Sequence, residues 1–191
     1  MRNGLLHRCL ILGALSASFA TANAQQIVHA MTGKVTAVYP ASKTIQIDTD
    51  DGSQSIFDIM GQNVLISFEK NVKALTIPAS AFNKADCQVV VFYYGQEGVR
   101  TVVAVEELGA GPLAHDTGTV VKMDKHARLL TIKTDAGSEQ TYHMDAKTLA
   151  DSSYGVMEGL KFSPDKGSKV RVTASTQNGE STALFIRALS L

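Results

Sequence analysis

The sequence predicts an all-β chain built as two tandem five-stranded small barrels, and three observations predict it. Residues 32–59 and 117–144 are one segment written twice, without a gap at an offset of 85, with eight identical positions. Self-similarity at a fixed offset points to two copies of one structural unit. Within each copy, apolar and polar residues alternate at period two, the pattern of half-buried strands. Asp/Gly clusters interrupt the alternation where hairpin turns belong, and no helical periodicity is sustained.

Residues 1–24 read as a secretory signal peptide. Arg2 and Arg8 form a basic start, Leu10 to Ala20 an apolar run, and Ala22-Asn23-Ala24 a small-x-small cleavage site. Cleavage after Ala24 leaves Gln25 first and places the protein in the periplasm or outside the cell. The apolar run is shorter than the roughly 20 residues that span a bilayer, so no transmembrane segment is expected. Cys9 precedes the run, which gives no lipid anchor. The chain carries 18 basic and 18 acidic residues, and losing Arg2 and Arg8 leaves it slightly acidic. No basic stripe exists, which argues against nucleic acid and anionic membranes as partners. Cys87 is the one thiol left after cleavage, so no internal disulfide forms. Its run, CQVVVFYY, reads as a core strand.

The first barrel is expected over residues 25–108. Val35, Ala37 and Tyr39 alternate with Lys34, Thr36 and Val38, and the turn Pro40-Ala41-Ser42-Lys43 leads to Ile45 and Ile47. Asp50-Asp51-Gly52-Ser53 turns the chain into Phe57 and Ile59. After an irregular stretch, Val89, Val91 and Tyr93 form a fourth strand, Gly98 a turn, and Thr101 to Glu106 a fifth. Gly109-Ala110-Gly111-Pro112 lies in a linker, 109–113. The second barrel, 114–191, repeats the plan. Lys125-His126-Ala127-Arg128 turns into Leu130 and Ile132, and Asp135-Ala136-Gly137-Ser138 turns into Tyr142 and Met144. Val170, Val172 and Ala174 form the fourth strand. Asn178-Gly179 has the composition of a type I′ hairpin, and Thr182 to Ala188 is the fifth strand. Lys70 to Leu75 or Thr148 to Asp151 is expected as a short helical turn. Val89 to Tyr94 carries no charge on either face, which marks a strand buried on both sides. Its second face wants a cover, whether the second barrel, the segment 65–81 or another chain, and a short linker that keeps the second barrel nearby favours a cover from within the chain. The matching strand of copy two shows a polar outer face, with Lys169, Arg171 and Thr173.

The order T-G-x-V, a turn with Lys or Arg, then I-x-I or L-x-I and T-D-x-G, closed near Lys166 to Val172, resembles small exported bacterial OB-like barrels. That group includes a widespread domain of unknown function and the periplasmic copper-binding CusF-like proteins. The resemblance implies a five-stranded barrel in each copy. In CusF-like proteins it would also imply a His after the second strand, a Met-x-Met on the third, and a Trp over the metal. Here the corresponding residues are Asp48-Thr49 and Lys133-Thr134, then Ser53 and Ser55, or Ser138 and Gln140, and the chain has no Trp. None is a soft ligand suited to Cu(I). The resemblance therefore carries the fold and not the copper site.

Other constellations are weak. His143 and Met144 are adjacent, so on a strand they point to opposite faces: Met144 reads as core and His143 as solvent-facing. His29, His115 and His126 are scattered, without ligand spacing. Asp48, Asp50 and Asp51 lack the Glu and the helices of an EF-hand and read as a solvated turn. Phe92, Tyr93 and Tyr94 read as core packing plus one exposed ring. Gly-x-Ser-x-Gly, His-Glu-x-x-His and the P-loop are absent. The expected function is that of an exported, non-catalytic binding or scaffold protein for a protein or small ligand. No catalytic, cofactor or metal-binding residue is assigned. The alternative is a periplasmic metal-handling protein with a weak site near His143.

Overall fold

A computed structural model describes residues 25–59, 65–96, 98–109 and 111–189, and the signal-peptide reading of 1–24 lies outside them. The elements in order are β1 (Gln26–Ile27), β2 (His29–Tyr39), β3 (Thr44–Thr49), β4 (Gln54–Ile59), β5 (Ile66–Ser67), α1 (Lys70–Lys73), β6 (Ile77–Pro78), β7 (Cys87–Tyr94) and β8 (Thr101–Glu107). They continue with β9 (Leu113–Asp124), β10 (Leu129–Thr134), β11 (Glu139–His143), β12 (Leu149–Ser152), β13 (Gly155–Glu158), β14 (Lys169–Gln177) and β15 (Glu180–Ala188). The chain is almost all β, as its alternation predicts. No helix among the described residues is long and apolar enough to cross a membrane.

Two main sheets form, one from each copy. The first runs β4-β3-β2-β7-β8-β6, and β4 returns to pair with β8 in parallel, Asp58 with Thr101 and Ile59 with Val102. That pairing closes a five-stranded barrel. The second runs β11-β10-β9-β14-β15-β12-β13. β11 meets β15 only at the pair His143 and Thr182, so this sheet is not closed, and the expected second barrel is corrected to an open sheet: one bridge does not make a ladder.

The matched residues of the repeat have physical reasons. Lys43 and Arg128 both take positive φ, 53° and 57°, at the first turn. Gly52 and Gly137 do so at the second, at 83° and 90°, where a side chain would be strained. Thr49 Oγ1 donates to the Ser53 carbonyl at 2.8 Å, and Thr134 Oγ1 to that of Ser138 at 3.1 Å. At Gly33 and Gly118 an added Cβ would stand 2.5 and 2.4 Å from the carbonyl oxygens of Asp48 and Lys133. Each glycine is therefore needed for the close approach of neighbouring strands.

Val35, Ile45, Ile47, Phe57, Val89, Val91 and Tyr93 fill the first core, and Leu130, Ile132, Tyr142, Met144, Val170, Val172 and Ala174 the second. Two local expectations are corrected. A β-bulge falls between Val35 and Ala37, so the facing reverses: Val38 packs on the core and Tyr39 is exposed. The second copy bulges at the equivalent place, and Met123 packs inward. Of the two segments offered as a helical turn, Lys70–Lys73 is helical, whereas Leu149–Ser152 is strand β12, paired with β13 and β15.

A third apolar cluster joins the two sheets. Val28, Ala30, Val90, Phe92, Val103 and Ala104 of the first copy meet Leu149, Val156 and Phe185 of the second. The uncharged face of β7 is thus covered from within the chain, by the second copy and by Ile66, Phe68 and Val72 of the 65–81 segment, with the Phe68 ring 5.4 Å from that of Phe92. The Val156 amide donates to the Val28 carbonyl at 2.9 Å across the same junction. Glu69 and Lys161 form an ion pair at its edge, and Asn71 Nδ2 donates to Glu158 Oε1 at 2.6 Å.

Candidate functional site

Among the described residues, a strip of paired polar side chains lies along this seam. β2 carries His29 and Thr32, and the turn after β3 carries Asp50. β9 brings His115, β12 brings Asp151, and β14 brings Thr173. The outward face of β2 turns toward the second sheet because its inward face fills the first core.

Two histidine–carboxylate pairs cross the seam in opposite senses. His29 Nδ1 of the first copy lies 3.2 Å from Asp151 Oδ1 of the second. His115 Nδ1 of the second lies 3.1 Å from Asp50 Oδ2 of the first. A buried hydroxyl pair also spans the seam, Thr32 Oγ1 and Thr173 Oγ1, 3.0 Å apart. Thr173 Oγ1 also lies within reach of Asp50 Oδ2, at 3.3 Å. The hydrogen bond His29 makes to Asp151 raises its imidazole above its usual range, against desolvation by burial. The hydrogen bond His115 makes to Asp50 does the same for His115. Burial pushes the Asp50 carboxyl up, but hydrogen bonds from His115, Thr32 and Thr173 outweigh it and hold the group below its ordinary value.

Arginines border the seam. Arg187 reaches Tyr93 Oη at 3.4 Å, with its Nε 4.0 Å from Asp151 Oδ2. Arg171 Nε donates to Thr117 Oγ1 at 3.3 Å. With Asp50, Asp51 and Phe185 they line a small cleft. Asp51 closes its own turn, accepting from Ser53 N at 3.0 Å and Ser53 Oγ at 2.7 Å. Burial opposes its ionisation, yet bonds from Thr49 and Ser53 hold its carboxyl at about 2.

Glu106 stands apart. It lies on β8 opposite Val90, and its Oε2 is buried without a hydrogen-bond partner. Desolvation pushes its carboxyl up to about 7, against a weak pull from Lys147.

The residues singled out by sequence are placed as follows. Met144 is core and His143 is solvent-facing, its Nδ1 donating to the Met144 carbonyl at 3.2 Å. Cys87 is half-buried, with its thiol 3.7 Å from the Lys84 carbonyl. Burial raises that thiol's pKa, which works against a reactive thiolate. Three readings are corrected. Asp50 is not solvated: its side chain is 10% exposed, because the second sheet lies over the turn. Thr173 was expected on a wet face and is 1% exposed, since that face of β14 meets Thr32. The expected exposed ring of the aromatic run is absent: Phe92 and Tyr93 are buried, and Tyr94 packs on the seam cluster. The seam pairs themselves escaped the sequence, because their members belong to different copies and lie far apart along the chain, as His29 and Asp151 do. The one available signal was that His29 and His115 sit near the same place at the start of each copy.

Beside the seam's edge, where Lys161 pairs with Glu69, Ser152, Tyr154, Met157, Lys161, Phe162 and Pro164 line an open groove. Tyr154 stands 86% exposed there.

No family model matches the chain, and no curated protein matches it. Among solved structures, the chain is similar to one described as the crystal structure of Ag(I)CusF, at 17% identity and a TM-score of 0.34, covering 41% of this chain and all of that one.

Proposed function

We propose that this is an exported, non-catalytic binding or scaffold protein, released by cleavage between Ala24 and Gln25. The observation that supports it is the use of the reactive side chains. Histidine–carboxylate and hydroxyl groups of the kind that serve catalysis are engaged here in bridging two sheets. Each His Nδ1 faces a carboxylate across the seam, and the hydroxyl that lies 3.3 Å from His115 Nδ1, that of Thr173, is buried and bonded to Thr32. The groove beside Tyr154 is the face best suited to a ligand. It combines an exposed aromatic ring, hydroxyls and Lys161, a mixture that binds by stacking and hydrogen bonding.

The test uses protein beginning at Gln25. In vivo crosslinking in the exported fraction should capture a ligand or partner, and Tyr154→Ala should reduce the yield. Two results would overturn the reading. One is substrate turnover that a single side-chain substitution abolishes. The other is micromolar or tighter binding of Cu(I), Cu(II), Zn(II) or Ca(II) by calorimetry that His143→Ala removes.

A further inference from the structure

The seam carries three titratable groups whose protonation works in one direction. His29 faces Asp151 from β12, Arg187 from β15 and Tyr93 from β7. His115 faces Asp50 from the turn after β3, Asp116 on its own strand and Arg171 from β14. Both pairs join residues of opposite copies, and each holds the junction more strongly while the imidazole is charged, because a charged donor bonds a carboxylate more tightly than a neutral one. Glu106 lies on the seam-facing side of β8, with Val90 across from it and Lys147 as the charged group facing it. Its buried Oε2 has no partner. An ionised carboxylate in that place costs more than a neutral one.

We propose that the seam is a proton-operated latch, closed in mildly acidic solution and loosened as the solution becomes alkaline. The signs agree across the three groups. A histidine raised above 6.5 by its carboxylate stabilises the closed form at low pH, and that contribution is lost as pH rises through the raised value. Glu106, raised from 4.5 to about 7, prefers the closed form while protonated and opposes it once ionised. On the acid side the window ends where the depressed Asp50 carboxyl takes up a proton and the pair with His115 is broken. Loosening parts Phe92 and Val90 from Leu149, Val156 and Phe185, while each sheet keeps its own ladder. The latch therefore changes how the two sheets are held together and leaves each fold intact.

One backbone amide reads the seam directly. The Val156 N–H donates to the Val28 carbonyl across it, whereas the Asp135 N–H donates to the Thr117 carbonyl inside the second sheet. Hydrogen exchange of the chain from Gln25 to Leu191, corrected for intrinsic rates, is followed between pH 5.5 and 8.5. Protection at Val156 should fall roughly tenfold or more over this range, while protection at Asp135 holds. Glu106→Gln should keep the seam closed further into the alkaline range. His29→Gln with His115→Gln should remove much of the gain at acid pH. A Val156 profile that is flat with pH would overturn the latch. So would a fall shared equally by Asp135, or a variant combining Glu106→Gln, His29→Gln and His115→Gln that keeps the wild-type slope. If the histidine variants fail to fold, the wild-type contrast between the two amides and the Glu106→Gln profile still decide.

Discussion

The fourth strands of the two copies, β7 and β14, hold the same place in their sheets and meet the same seam with opposite chemistry. Both turn alternate residues inward, Val89, Val91 and Tyr93 in one and Val170, Val172 and Ala174 in the other. Outward, β7 presents Val90 and Phe92, while β14 presents Arg171 and Thr173. At the equivalent positions Phe92 and Thr173, one side chain joins the apolar cluster and the other the hydroxyl pair. The second copy supplies its apolar share from β12, β13 and β15 instead. An apolar face on a small sheet thus marks a covered face, but a polar face does not mark a wet one. The polar strip matters for specificity: apolar area alone tolerates sliding, whereas paired hydroxyls and ion pairs set one register.

The comparison breaks most severely when the copies are separated. Residues 25–110 expressed alone should self-associate or lose stability relative to the full chain, as read by sedimentation and denaturant unfolding. A monomeric fragment as stable as the intact protein would show that the seam does not support β7.

Within the full chain, Phe92→Ala should cost about 3–5 kcal/mol, as buried Phe truncations do. The loss should match that of Phe57→Ala inside the first core, since both side chains are fully buried. Ile56→Ala, at 65% exposure on the outer face of β4, should change stability by no more than about 0.5 kcal/mol. Urea midpoints at constant slope measure all three.

The hydroxyl pair sharpens the polar half of the comparison. Thr173→Val leaves Thr32 without its seam partner and should cost about 1–3 kcal/mol. The double replacement with Thr32→Val should recover part of that loss, because both polar groups are then gone. A double variant as unstable as the sum of the singles would contradict a direct pair.

The two turns of the repeat offer the smallest contrast. Asp50 and Asp135 are equivalent and identical, yet Asp50 meets His115 at the seam and Asp135 meets Lys169 near solvent at 3.1 Å. Asp50→Asn should lower the melting temperature, and the loss should be greatest where His115 is charged. Asp135→Asn should change stability by about 0.5 kcal/mol or less.

Strands, turns and both cores were legible because their causes are local. Period-two alternation chose the buried side of β3 and β10. The need for positive φ chose Gly52 and Gly137, and close strand approach chose Gly33 and Gly118. The uncharged run Val89 to Tyr94 even announced that something covers it. The bulges after Val35 and Val120 were not legible, because one extra residue reverses the facing without changing composition. The candidate site was hidden for a different reason. Asp50 and Asp135 stand in the same local sequence, and only docking of the two sheets buries one and leaves the other near solvent. Local composition by itself determined the all-β class and the repeated unit. Tertiary structure decided which polar residues meet across the seam, because burial and pairing there depend on surfaces distant in sequence.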